Sequence, residues 1–174
     1  MMNLKNYIRE FEDFPKPGIN FKDISPILKS PQAMQHVIDT ICKHFSYESI
    51  DLIAGAESRG LIFGNAIAQK LHKGLVMVRK KGKLPGPVYS IDYEIEYGLA
   101  TMEVQQDAIE KGQRVLLVDD LLATGGTAFG ADKLVKKLGA HVVGHAFVIE
   151  LLFLKGREKL KDCSNILTLV QYER

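Results

Sequence analysis

Apolar and polar positions along this chain follow two periods. Met34, Val37, Ile38, Ile41 and Phe45 recur at helical spacing, which predicts a helix with one buried face. Ser30 suits its N-cap and Pro31 its first turn. Cys42 lies beside the same face as a small core residue. Two more helices are expected, one over 61–71 with Phe63, Ile67 and Leu71 in register. The other runs from about Thr127 to Leu138, carries Ala128, Ala131, Leu134, Val135 and Leu138 on one face, and stops at Gly139.

Between these stand short apolar runs at 50–55, 75–78, 114–118 and 141–151, which read as buried strands. Residues 88–106 alternate instead: Tyr89, Ile91, Tyr93, Ile95 and Tyr97 share a face, as do Thr101, Glu103 and Gln105, which suggests a hairpin arm. The first 30 residues read as irregular, with a breaker cluster at 14–18. The tail reads as a loop, a short helix near Arg157–Leu160 and a last strand near 166–170.

Apolar strands alternating with amphipathic helices predict an α/β fold, a parallel twisted sheet covered by helices on both faces. Ligands of such sheets bind beyond the carboxyl ends of the strands. The polar loops 56–60, 79–87 and 119–127 each follow a strand, so they are expected to converge at one edge. The 174 residues fit a single domain, 1–174.

Composition narrows the partners. Lys and Arg number 23 against 21 Asp and Glu, a net charge of +2, which is no footprint for nucleic acid. Two cysteines, Cys42 and Cys163, and five scattered histidines give neither a disulfide framework nor a zinc site. No apolar run reaches the ~18 residues of a membrane span, and the N-terminus lacks the apolar core of a secretory signal. No membrane partner and a cytoplasmic location are therefore expected.

The chemistry concentrates in residues 115–127, where four apolar residues lead into Asp119 and Asp120 and then into Ala123-Thr-Gly-Gly-Thr127. A glycine-rich turn between a strand and a helix N-terminus collects free N–H groups at the positive end of a helix dipole, which suits a phosphate monoester. It is neither the P-loop nor the dinucleotide fingerprint. A plain capping turn with nothing bound uses the same residue types. Adjacent carboxylates on a strand diverge, and they accept bonds from sugar hydroxyls or touch Mg²⁺ directly or through water. A ligand with a phosphate at one end and a vicinal diol in the middle, such as a phosphoribosyl group, would use both parts. The phosphorylatable pocket of receiver domains also pairs two acids, but after the first strand and with a separate central Asp, which this chain lacks.

In this stretch the sequence resembles the type I phosphoribosyltransferase family, matching its signature for phosphoribosyl diphosphate (PRPP), and in particular the branch that acts on adenine. Residues 14–18, 21–25, 57–64, 79–86, 94–98 and 151–160 agree with that branch in order, so the resemblance spans about residues 10 to 173. It implies a sheet with helices, a β-hairpin hood over 82–106 that is flexible, and a base-recognition segment over 1–30. It also implies a reaction: adenine and PRPP give AMP and diphosphate, with Mg²⁺ as cofactor and a homodimer as the assembly.

Residue roles follow from the resemblance. Ala123, Thr124, Gly125, Gly126 and Thr127 resemble the 5′-phosphate cradle, and Asp119 and Asp120 the ribose binders. Ala56, Glu57, Ser58 and Arg59 resemble the diphosphate loop, where the family often has a non-proline cis peptide. Arg79, from a partner subunit, and Lys83 resemble further diphosphate contacts. Glu96 resembles the catalytic carboxylate, and Tyr97 lies beside it in the hood. Phe21 resembles the aromatic residue that packs on adenine. Asn20 and Lys22 stand where an aliphatic residue and an arginine are usual, so base recognition there falls either to backbone groups or to altered side chains. Two other readings fit the same resemblance: transfer to another purine base, or a PRPP-sensing regulator on this fold.

Overall fold

A computed structural model describes residues 2–95, 98–163 and 165–173. The chain divides into two compact units, Met1–Thr40 and Ile41–Arg174.

In the first unit the supposed irregular start is ordered. A 3-10 turn at Leu4–Tyr7 precedes strand β1 (Arg9–Phe11), which pairs antiparallel with β2 (Phe21–Asp23). The strands are three residues long and β1 is exposed throughout, so no alternation marks them in the sequence. Side chains fix the ribbon. Asp13 accepts the Gly18 N–H at 2.7 Å across the connecting loop, and Asp23 takes the Arg9 guanidinium and the Ser25 N–H at the start of α1 (Ser25–Lys29).

Helix α2 (Pro31–His44) spans the division between the units. Ser30 Oγ accepts the Ala33 N–H at 3.2 Å, the expected cap, a contact worth about 1 kcal/mol. Val37, Ile38, Ile41 and Cys42 are buried, and Met34 is half-buried.

The second unit is built on a seven-stranded sheet. Its strands are β3 (Leu52–Ala56), β4 (Gly74–Lys80), β5 (Val88–Ile95), β6 (Gly98–Gln105), β7 (Arg114–Leu122), β8 (His141–Leu151) and β9 (Ile166–Tyr172), in the order β5-β6-β4-β3-β7-β8-β9. The run from β4 to β9 is parallel, while the hairpin β5–β6 joins the edge of β4 antiparallel through Arg79↔Glu103 and Lys80↔Met102.

Helices α3 (Gly60–Leu71) and α4 (Gly126–Lys137) cover opposite faces. Alternation explains the split. Ala54, Ala56, Val76, Val78, Val115 and Leu117 form one buried cluster with Ala131, Leu134 and Val135 of α4. Gly55 and Leu75, pointing the other way, meet α3 at Leu61 and Gly64. Each fully buried Val or Leu in such a cluster contributes roughly 1.5–3 kcal/mol.

Two strands run further than their apolar stretches suggest. The strand expected over 75–78 continues through Arg79 and Lys80, and the one expected over 114–118 continues to Leu122. Asp119 and Asp120 are therefore inside β7 rather than in a loop. Backbone pairing carries the strand on: Asp119↔Phe147, Leu121↔Ile149 and Leu122↔Glu150 stay in register with β8.

Candidate active site

The carboxyl ends of β3, β4 and β7 bring the three expected loops together. After β3 the peptide bond between Glu57 and Ser58 is cis, as the resemblance implied for this loop. The Glu57 N–H donates to Val78 O at 2.9 Å, extending the ladder to β4. Its carboxylate accepts the Lys80 N–H at 2.8 Å and lies 3.3 Å from Arg79 Nε. Arg79 also donates to Lys83 O at 3.2 Å, which folds the start of the basic loop back on its own strand. Lys83 is exposed.

Gly60 sets the spacing between this loop and β7. A Cβ there would lie 2.7 Å from Val118 O and 2.8 Å from Asp119 Oδ1, so only glycine lets α3 start against the strand end. Its neighbour Arg59 places Nε 2.8 Å from Asp120 Oδ2.

The aspartates alternate along the strand, but their carboxyl groups stay close enough to interact. Asp119 borders a narrow space shared with Ala56, Leu117, Ala128, Ala131, His145 and Phe147 under α4, whereas Asp120 meets Arg59. Asp119 Oδ1 also accepts the Asp120 N–H at 2.8 Å. Burial, and then the neighbouring Asp120 charge, hold the Asp119 carboxyl well above the usual carboxylate range. Burial raises Asp120 as well, against the pull of the Arg59 guanidinium. Asp120 is thus the ion-pair partner of Arg59, and Asp119 is the carboxyl that burial raises further. Both carboxyl groups offer oxygen acceptors at the strand end.

Beyond Leu122 the chain turns into α4 through Ala123, Thr124, Gly125, Gly126 and Thr127, which with Leu121, Leu122 and Ala128 line a hollow of about 50 Å³. The N-cap is Gly125, in the left-handed region at φ 78°, with no side-chain capping bond. The first N–H groups of the helix have no intrahelical acceptor and suit an anion. Gly126 also borders a larger hollow of about 470 Å³ lined by Asp92, Tyr93, Leu99, Phe129 and Lys159, so the hairpin flanks the cradle. Glu96 and Tyr97, expected in its tip, lie outside the described residues.

One residue of the cradle escaped the sequence reading. A Cβ on Gly125 would lie 2.3 Å from Gly156 O, and a Cβ on Gly156 would lie 2.3 Å from Ala123 O. The turn 123–127 therefore rests on the backbone at Gly156, in the 3-10 segment Gly156–Leu160. The only signal for it in the sequence is the family-like stretch 151–160, which carries no obvious chemistry.

In the first unit, Phe21 is half-buried and its ring meets Phe14 edge-on at 5.2 Å. Asn20 Nδ2 donates to Glu10 Oε2 at 2.8 Å, and buried Lys22 pairs with the same carboxylate. Both unusual side chains are thus engaged by Glu10.

Among the described residues no group of three or more His, Cys, Asp or Glu is placed to hold a metal ion. A cation held by one or two carboxylates together with substrate oxygens and water is the arrangement that Mg²⁺ favours, and Asp119 and Asp120 fit that donor set. Among the described residues no helix is long and apolar enough to cross a membrane.

Comparison with known proteins agrees with this geometry. The phosphoribosyl transferase domain pattern matches residues 23–171. An adenine phosphoribosyltransferase from Methanococcus vannielii is 52% identical over 172 residues, covering 99% of each chain. The crystal structure of the adenine phosphoribosyltransferase from Thermoanaerobacter pseudethanolicus superposes with a TM-score of 0.94 at 47% identity, covering 97% of this chain and 98% of that one. The Saccharomyces cerevisiae enzyme, crystallised with adenine and an imino-altritol bisphosphate, gives 0.89 at 44% identity, with 95% and 96% covered.

Proposed function

The chain belongs to the phosphoribosyltransferase family, and from that premise we infer that it transfers the 5-phosphoribosyl group of PRPP to adenine, releasing diphosphate and AMP. The observation that carries this reading is the meeting of an anion turn, a carboxylate pair and an arginine-bearing loop at one sheet edge. Relatives named for the adenine reaction, about half identical over nearly the full chain, supply the choice of base.

Each part has a chemical task in this proposal. The turn 123–127 holds the 5′-phosphate on helix N–H groups. Asp119 and Asp120 hold the ribose hydroxyls and orient C1′. Arg59, whose planar fork suits bidentate binding of oxygens, takes the diphosphate with the backbone of 56–58, supported by Arg79 and Lys83. Loss of diphosphate from C1′ develops oxocarbenium character, as in glycoside cleavage. Mg²⁺, carried in with the diphosphate and touched by Asp119 or Asp120 through water, would neutralise charge on the leaving group.

Adenine attacks through N9 and must shed a proton. Glu96 accepts that proton or holds the reactive tautomer. The hairpin, closing as a hood with Tyr97, excludes water that would otherwise capture the cationic sugar. Phe21 packs on the base, and backbone groups at Asn20 and Lys22 read its edge. A homodimer in the cytoplasm, in which Arg79 reaches the partner's diphosphate, completes the proposal. The test is turnover of PRPP and Mg²⁺ with each purine base in turn, followed as mononucleotide.

A further inference from the structure

Glu150 is a carboxylate inside the sheet, 2% exposed, directly opposite Leu122 at the end of β7. Four donor contacts converge on it. Arg157 donates from Nε at 2.6 Å and Nη2 at 2.9 Å, Thr168 Oγ1 donates at 2.9 Å, and Gln171 Nε2 donates at 3.0 Å. Arg157 also donates to Ile166 O at 3.4 Å, which ties it to the start of β9. Burial pushes the Glu150 carboxyl up, but these donors outweigh it and hold the group below its usual range. None of these residues belongs to the substrate contacts proposed above.

The network has one mechanical outlet. Arg157 follows Gly156, whose backbone meets the phosphate turn so closely that neither Gly156 nor Gly125 has room for a Cβ. An ion pair with one partner buried and the other part-exposed, as here, is a weak source of stability. A guanidinium fork seated on a carboxylate does fix direction, which apolar packing does not.

We propose that Arg157 and Glu150 are positioning residues for the 5′-phosphate site. Their fork-on-carboxylate pair presses Gly156 against Ala123 and Gly125 and so sets where the N–H groups of the turn point. The diphosphate loop, tied instead to β4 and Asp120, is independent of this pair. The proposal rests on the phosphoribosyl reading of the site.

The experiment titrates ribose 5-phosphate, and separately inorganic diphosphate with Mg²⁺, into the wild-type protein, Arg157→Lys and Glu150→Gln by calorimetry. Steady-state KM for PRPP and for adenine is measured alongside. Arg157→Lys keeps the charge and loses the fork, while Glu150→Gln keeps the shape. The expected result is a loss of ribose 5-phosphate affinity of about tenfold to a hundredfold, the scale of a misplaced binding group. Diphosphate affinity and the adenine KM are unchanged. Equal loss of both ligands in a cooperatively folded variant, or no loss of either, overturns the proposal. Should these variants not fold, Thr168→Val removes the hydroxyl that bridges Arg157 and Glu150, and the same selective loss is expected from it. A wild-type protein that bound neither ligand would overturn the reading of the site and this inference together. A wild type that makes AMP while Arg157→Lys binds ribose 5-phosphate equally well overturns the inference alone.

Discussion

Arg59 Nε lies 2.8 Å from Asp120 Oδ2, so the loop proposed for diphosphate and the strand end proposed for ribose are joined by an ion pair. A diphosphate competes with Asp120 for the guanidinium, and a ribose hydroxyl competes with Arg59 for the carboxylate. Under the proposed assignment, a single ligand bearing both groups replaces the pair in one event, so PRPP is expected to bind more tightly than either half alone.

Arg59→Ala leaves Asp120 without its counter-charge. The expected cost is about 1–3 kcal/mol, below the range for fully buried pairs because the arginine side chain is 32% exposed. The carboxyl then rises further and takes a proton in the folded state. The variant therefore loses more stability at pH 8 than at pH 5. Urea midpoints at both pH values check this, and an equal loss at both would contradict it.

Asp119 is held well above its ordinary range by burial and by Asp120. Its folded pKa exceeds the unfolded one, so the folded state binds the extra proton and stability falls as pH rises from about 4. Asp119→Asn removes that fall. At pH 7 it should gain about 1 kcal/mol, or ~2–4 °C in Tm, with the gain shrinking below pH 5. PRPP affinity should fall in the same variant. A lower Tm at pH 7 would show that the carboxyl is not strained by its burial.

How much of this could be read from the sequence depended on which force shaped each element. Helix α2 was legible because a cap and a five-residue apolar repeat agree. Strand β8 was legible over its full length because it is buried from Gly144 onward. The end of β7 was misread because two acids look like the end of an apolar run, although ladder pairing is indifferent to side-chain polarity. The ribbon β1–β2 is held by polar contacts that leave no periodic trace. Gly156 is marked only by the family-like stretch 151–160, because its role is a contact with residues far away in the chain.

Glu96→Gln tests the proton-accepting role proposed for the hairpin. The amide keeps the size of the carboxylate but cannot take the proton from adenine. Turnover should fall by about 10²–10⁴-fold while PRPP affinity holds. Single-turnover rates with saturating PRPP measure it, and an unchanged rate would remove Glu96 from the chemistry.

His145 is 1% exposed, with Nε2 3.6 Å from Asp132 Oδ1, and its ring stacks on Phe147. Burial pushes its pKa down, but the Asp132 carboxylate and the Cys163 thiol prevail and raise it. Asp132 is lowered in turn: burial opposes this, and His145 and Lys136 outweigh the burial. The histidine contribution is full below about pH 6.5 and is lost as pH rises through the folded value. The aspartate contribution is present above about pH 4 and is lost as pH falls through its folded value. Asp132→Asn should therefore be most destabilising between these limits, near pH 5–6, and less so at pH 9. Denaturant titrations across that range, with the His145 ring followed by NMR, would show it. A loss independent of pH would contradict the pairing.

The most direct test is product formation from PRPP and Mg²⁺ with adenine, hypoxanthine and guanine supplied separately at equal concentration. The account predicts AMP and stoichiometric diphosphate from adenine, with far slower turnover of the other two bases. No AMP from adenine, or faster turnover of hypoxanthine or guanine, would contradict it.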